Sequence, residues 1–195
     1  LTSHRSIRKF TDEPVDPDLF TRLVEAAQAS ASSSFLQGVT IIRVTDPGKR
    51  VALRDVAGGQ AYVETAPEFL VFCADLSRPM RCCRQHGGTP AEGLTEQFVI
   101  ATVDAALYAQ NLVIAAESAG LGICYIGALR NDPAKVTELL ELPQQVYPVF
   151  GLCLGHPAQD PEVKPRLPVS VTLKTDNYST DGEDEAIAAY DEEMR

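Results

Sequence analysis

After Asp16-Pro17, the apolar residues Leu19, Leu23, Ala26 and Ala27 return at helical spacing. A capping carboxylate and a preset φ at the start predict a helix from Pro17 to about Ser30. The serines of Ser30–Ser34 offer a core nothing and predict a loop, and the β-branched run Val39–Val44 predicts a strand. Pro47–Ala57 is helical in pattern and stops at Gly58-Gly59, while Phe69–Ala74 is a continuous apolar run of the buried-strand type. From Asp75 to Gly93 periodicity is lost among prolines, glycines and arginines, which predicts a mobile and dispensable surface loop. Thr95–Ala119 is the longest helical pattern, with apolar residues on more than one face, as suits a helix packed on several sides or at a dimer seam. Cys124–Gly127 and Tyr147–Leu154 predict two further strands, and Asn131-Asp132 before Pro133 opens another helix. Helices alternate with strands, so a sheet covered by helices is expected.

Composition narrows the picture. With 195 residues and 45% hydrophobic content, a single domain over the whole chain, 1–195, is expected. The formal net charge of −10 repels phosphate backbones and anionic lipid, which argues against nucleic-acid or membrane partners but still allows a local cationic site. Five cysteines leave one over from any pairing, and three of them lie in apolar runs, a pattern that fits a reducing cytoplasm. No leader pattern opens the chain, and the apolar stretch from Phe98 to Ala119 contains Asp104, Gln110, Asn111 and Glu117, so it reads as a core helix of a soluble protein.

Two basic clusters stand out in this acidic chain. His4, Arg5, Ser6, Arg8 and Lys9 fall within six residues; they suit either a solvated strand or, with alternate side chains facing one way, an anion groove. In Lys164-Pro165-Arg166-Leu167-Pro168 the prolines stiffen the backbone, and the cations either guard an edge strand or grip a phosphate. Other chemistries lack machinery. Cys82-Cys83 with His86 has neither the gap nor the second ligand pair of a zinc site, Gly120-Leu121-Gly122 lacks the rest of a dinucleotide fingerprint, and no nucleophile elbow occurs.

The motifs HRSIRKF (4–10), AAQASASSSF (26–35), GGQ (58–60), AQNLVIAAESAGLG (109–122), YIGALRN (125–131), FGLCLGHP (150–157) and KPRLP (164–168) appear in order along the chain. Together they resemble the FMN-dependent, oxygen-insensitive NADPH nitroreductases and their flavin reductase relatives. The resemblance implies an α+β fold of three layers, with a central mixed β-sheet flanked by helices, and a homodimer binding FMN. It implies FMN contacts from His4, Arg5, Ser6 and Arg8, with His4 and Ser6 near the phosphate and Arg8 near the N1/O2 ring edge. Ser32, Gln60 and Tyr62 match polar or ring contacts, Lys164 and Arg166 a distal phosphate grip, and Tyr125, Ile126, Gly127 and Ala128 the backbone strip past N5 and O4. Ala128 replaces a second glycine found in relatives. Ser34 and Phe35 match the acceptor pocket, although from the residues alone Phe35 suits a core anchor for the serine loop, Tyr62 packing, and Tyr125 and Ile126 strand core.

The implied activity is two-electron transfer from NADPH or NADH to a small nitroaromatic, quinone or flavin acceptor, in ping-pong fashion. The flavin N5 carries the chemistry, so no catalytic side chain and no metal are expected. Alternatives are a specialised flavoenzyme of the same superfamily or a flavin-binding module without turnover. Members of the family that the chain resembles continue past Arg195 with a C-terminal extension that embraces the partner and recognises the NADPH phosphate, and those residues are absent from this sequence.

Overall fold

The computed structural model describes all 195 residues, Leu1 to Arg195. In chain order the elements are α1 (Pro17–Gln28), β1 (Val39–Arg43), α2 (Pro47–Val56), α3 (Tyr62–Thr65), β2 (Glu68–Asp75), α4 (Ser77–Gln85) and α5 (Thr95–Ser118). They continue with β3 (Gly122–Ile126), α6 (Pro133–Leu139), β4 (Val146–Gly155), α7 (Val169–Thr172) and α8 (Glu183–Glu193). The contacts divide the chain into two compact units, one of Leu1 with Ser6–Asp160 and one of Thr2–Arg5 with Pro161–Arg195.

In the first unit, α1, α2 and α6 begin alike. Asp16, Asp46 and Asp132 each precede a proline, and their carboxylates accept from the N–H of Leu19, Lys49 and Lys135 at 2.8, 2.7 and 2.9 Å. The side chain satisfies an otherwise orphaned donor, and proline at the first turn has no N–H to orphan. The α2 end is closed by Gly58 and Gly59 at φ 73° and 79°, with the Gly59 N–H reaching Arg54 O at 2.9 Å. Left-handed backbone costs least at glycine, so the pair turns the chain into Gln60.

The four strands are ordered β1-β2-β4-β3. Successive β2 side chains separate onto two faces, as a two-residue period requires. Phe69, Val71 and Cys73 join a core with Leu53, Val63 and Val136 from α2, α3 and α6, while Leu70 and Phe72 pack with Leu23, Leu112 and Ala116 from α1 and α5. The α+β class and the layering are as expected. The pairings, however, are all antiparallel, where the resemblance implied a mixed sheet. Alternation of helix and strand along a chain does not fix strand direction, which is set by where each connection returns to the sheet.

Asp75–Gly93 departs from the expected loop, because Ser77–Gln85 is helical. Met80 is buried with Leu76 while the arginines at 78, 81 and 84 recur at helical spacing, so the apolar signal is confined to too few residues to register as a period. The segment is also less dispensable than expected. Arg78 of α4 donates to Gln37 O, Val39 O, Thr40 Oγ1 and Asp75 Oδ2 at 3.0, 3.2, 2.5 and 3.1 Å. Burial pushes the Asp75 carboxyl up, but hydrogen bonds from Thr40 and the Arg78 N–H, with the Arg78 charge, outweigh it and hold the group below the usual carboxylate range.

By length and composition α5 could cross a membrane. In the fold its alanines at 101, 105, 109 and 116, with Leu112 and Val113, lie buried in the packed core. Small residues at these positions let the helix approach the sheet closely.

The second unit holds α7 and α8, with Lys174 Nζ and Glu183 Oε1 2.5 Å apart. Glu183, Asp184 and Glu185 open α8, where negative charge suits the positive end of the helix dipole.

Candidate functional site

Extended backbone places the first functional residues. The Ile7 N–H donates to Ile123 O of β3 at 2.8 Å, the Thr11 N–H to His156 O at 2.9 Å, and the Ala158 N–H to Lys9 O at 2.9 Å. Ile7 is buried; a Cβ on Gly122 would lie 2.7 Å from its Cγ1, so only glycine lets the Ile7 side chain cover that strand. Alternation then turns Ser6 and Arg8 to the face opposite Ile7.

Arg8 meets Tyr62 there. Burial pushes the Tyr62 phenol up, and Cys124 beside it adds to this, while a hydrogen bond from Arg8 pulls the other way. Burial likewise raises the Cys124 thiol against the opposing Arg8 charge. The Tyr62 hydroxyl also donates to Gln60 Oε1, and Gln60 Nε2 donates to Ala57 O at 2.9 Å. Gln60 therefore keeps one N–H, and Arg8 keeps guanidinium donors, for a ligand. Tyr62 packs on the core and carries a polar tip.

Past β3 the chain enters a tight turn, Gly127–Asn131, with no side chain capping its start. Its first residues, Gly127 and Ala128, are half-buried, and no side-chain cap engages the leading N–H groups. Arg130 folds back over Gly127, with Nη1 donating to Val149 O at 2.8 Å; a Cβ at 127 would lie 3.0 Å from its Nη2. Ile126 is core, whereas Tyr125 is partly exposed, its hydroxyl 3.3 Å from Gln110 Oε1 and its pKa pushed up to about 12 by burial and Glu117.

The serine loop belongs to a different set of contacts. Ser32 Oγ donates to Asp104 Oδ2 at 2.6 Å and accepts from the Gln37 N–H at 2.7 Å, leaving one lone pair for a ligand. Ser34 and Phe35 have φ of 49° and 55° and are exposed; Phe35 is 80% exposed, which removes the reading of it as a core anchor. His4, Arg5, Lys164 and Arg166 share the second unit, where Arg166 Nη1 donates to Lys164 O at 2.7 Å and Arg5 Nη1 to Ser3 O at 3.3 Å. Two clusters far apart in sequence thus fall in one unit, which sequence distance could not reveal.

Sequence reasoning gives no site role to Asp104, Arg78, Arg130 or Gly151. Only Asp104 leaves a signal, as an isolated acid within an apolar helical run.

Backbone and side-chain donors with a cation beside them are chemistry that suits an anionic, aromatic ligand, and the chain belongs to the nitroreductase family. Residues 1–156 match the profile of the nitroreductase family, and residues 164–195 match that of the nitroreductase family C-terminal domain. The chain is 47% identical over its whole length to an oxygen-insensitive NADPH nitroreductase of Salmonella typhimurium, covering 79% of that protein. It is 47% identical to an FMN reductase (NADPH) of Bacillus subtilis, over 94% of this chain and 75% of that one. Nitroreductase A from Vibrio parahaemolyticus superimposes with a TM-score of 0.93 at 49% identity, over 99% of this chain and 80% of that one.

Proposed function

We propose that this chain moves two electrons from NAD(P)H to nitroaromatic, quinone or flavin acceptors by ping-pong exchange through bound FMN. It is an NAD(P)H-dependent oxidoreductase that uses FMN, in keeping with its family and with relatives named NADPH nitroreductase, FMN reductase and NADPH-flavin oxidoreductase. The observation that carries the reading is the Arg8–Tyr62–Gln60 group together with the uncapped turn at Gly127.

The donor set fits the cofactor. Flavin presents acceptors at N1, O2, O4 and N5, and the chain offers the Arg8 guanidinium, one Gln60 N–H and the N–H groups of Gly127 and Ala128. Tyr125 and Ile126 lead the backbone to that turn. Ser32, with its one remaining lone pair, suits a ligand hydroxyl or N–H. His4, Arg5, Lys164 and Arg166 of the second unit suit a phosphate, which charge-assisted donors hold most strongly, and Ser6 of the first unit offers a hydroxyl to the same class of ligand. When bound, FMN supplies hydride acceptance and donation at N5. The residues bind and orient it, Arg8 places positive charge at the N1/O2 edge, and Ser34 and Phe35 face the acceptor, with protons coming from water. The whole of 1–195 serves this one function as an FMN-binding domain.

The protein is expected to purify with FMN that bleaches on anaerobic addition of NADPH. A mass spectrum of the released ligand showing FAD or no flavin would overturn the reading. Arg166→Ala should weaken FMN retention by ~1.5 kcal/mol, about tenfold, at the low end for a charged contact because the residue is exposed. Unchanged affinity in a flavin titration would remove Arg166 from the phosphate site.

A homodimer is part of the same proposal, and α5 supports it. Phe98, Val99, Val103, Leu107 and Ile114 line its outer surface at 38 to 54% exposure, an apolar stripe too continuous for a free surface. A second copy covers it in this reading. Val103→Glu with Leu107→Glu should shift light scattering toward the monomer mass of 21.1 kDa, whereas a parent chain already at that mass would refute the dimer. Five free cysteines, three of them buried, suit the cytoplasm.

A further inference from the structure

The serine loop is strained and has little beneath it. Ser34, Phe35 and Gln37, none of them glycine, hold φ of 49°, 55° and 52°. Such backbone persists only where the surroundings over-determine it. Packing within the chain does not do so, since Phe35 is 80% exposed there and a recess of about 380 Å³ is lined by Ser32, Gln37, Thr40, Arg78, Asp104 and Tyr108. Within the chain, hydrogen bonds hold the loop instead.

Those bonds converge on two charged side chains. Asp104 of α5, 2% exposed, accepts from Ser32 Oγ at 2.6 Å on one oxygen and from the Ser33 N–H at 3.1 Å on the other. Ser32 Oγ in turn accepts from the Gln37 N–H at 2.7 Å, which ties the two ends of the strained segment together. Arg78 of α4 grips the exit through Gln37 O at 3.0 Å, Val39 O at 3.2 Å and Thr40 Oγ1 at 2.5 Å. A carboxylate can accept on both oxygens, as the entry requires, and a planar guanidinium can reach several acceptors at once, as the exit requires.

We propose that Asp104 and Arg78 are positioning residues that clamp the 32–38 loop at its two ends and thereby set which aromatic acceptors the site admits. This rests on the reading of Ser34 and Phe35 as acceptor-facing. Asp104 acts on them only indirectly, through Ser32 and the Ser33 N–H. The pair lies on α4 and α5, so acceptor range is written partly in helices outside the cofactor motifs.

The test compares FMN-loaded parent, Asp104→Asn, Arg78→Lys and Phe35→Ala. Asparagine keeps the shape of Asp104 but presents an NH2 group to one of two donors, and lysine keeps the charge of Arg78 but not its fork. Both should speed hydrogen exchange in the 32–38 backbone while α5 and the sheet keep their protection. Both should lower kcat/KM for a bulky nitroaromatic by ~10- to 100-fold, as misplacement by about an ångström does. Ferricyanide, which needs no aromatic pocket, should be reduced within about twofold of the parent rate in the Arg78→Lys protein. Exchange that rises equally everywhere, with a lower Tm, would make the pair general stability groups and overturn the proposal. Unchanged loop exchange and acceptor kinetics in folded Asp104→Asn would also overturn it. If Phe35→Ala leaves nitroaromatic kinetics unchanged while Asp104→Asn frees the loop, the acceptor-facing reading fails and the specificity role falls with it. If Phe35→Ala is impaired and the clamp variants are not, only the clamp is wrong.

Discussion

Gly151→Val is expected to destabilise the protein by ~3 kcal/mol or more, at or beyond the upper end for overpacking a closed core. Gly151 sits in β4 opposite Val71 on one side and Ile126 on the other. A Cβ there would lie 2.7 Å from Phe69 Cζ, 2.8 Å from Phe69 Cε2 and 3.2 Å from Ile126 Cβ. None of these neighbours has room to yield, because Phe69 and Ile126 are fully buried. A loss of this size is a large share of the 5–15 kcal/mol that typically holds a domain together, so the variant should show a sharply lower urea midpoint or be recovered insoluble. Phe69→Leu in the same chain should restore part of the loss by withdrawing the ring. If the single variant unfolds at the parent midpoint, the close packing of Phe69 over Gly151 is not a feature of the protein. The consequence reaches the site, since Ile126 leads directly into the Gly127 turn proposed to meet the flavin.

Arg8→Ala carries the second large expectation. Reduction places negative charge at the N1/O2 edge of a bound flavin, and a fixed cation there favours the reduced form. Arg8 is exposed, so water screens it and the effect belongs at ~1 to 2 kcal/mol, which for a two-electron couple is about 20 to 45 mV. Anaerobic titration against a reference dye should show a midpoint potential lower by that amount, with acceptor turnover falling about tenfold or more. The Tyr62 phenol would also lose the hydrogen bond that opposes its raised pKa, so its titration should move further up. An FMN-loaded variant with the parent potential would leave Arg8 as a surface cation that happens to touch Tyr62. The Gly151 variant is read by its unfolding midpoint and the Arg8 variant by its flavin potential, so core packing and site electrostatics are measured separately.

Much of the framework is legible in the chain because its causes are local. The Asp-Pro starts of α1 and α6, the glycine stop of α2 and the buried-strand run of β2 each follow from residues within a few positions of one another. The ordered motifs likewise identify the family through matching residue types. Alternation about Ile7 gives Ser6 and Arg8 a common face from residue parity alone, and the Ile7 N–H bond to Ile123 O ties this segment to β3.

What the tertiary structure decided depends on residues distant along the chain. The antiparallel pairing is set by how each connection returns, which residue spacing does not encode. α4 lacks a long apolar period because only Leu76 and Met80 are strongly buried there, so the helix emerges from what it packs against. The family motifs could mark Ser32 but not its partner, since Asp104 lies 72 positions away on α5, which the fold packs against the sheet. Phe35 shows the same limit in reverse. An aromatic after a serine loop suits a core or a surface equally well by composition, and its exposure was settled by a backbone turned through positive φ by bonds to distant groups. Local sequence thus determined the elements and the class of chemistry, and long-range contacts determined which side chains are free to use it.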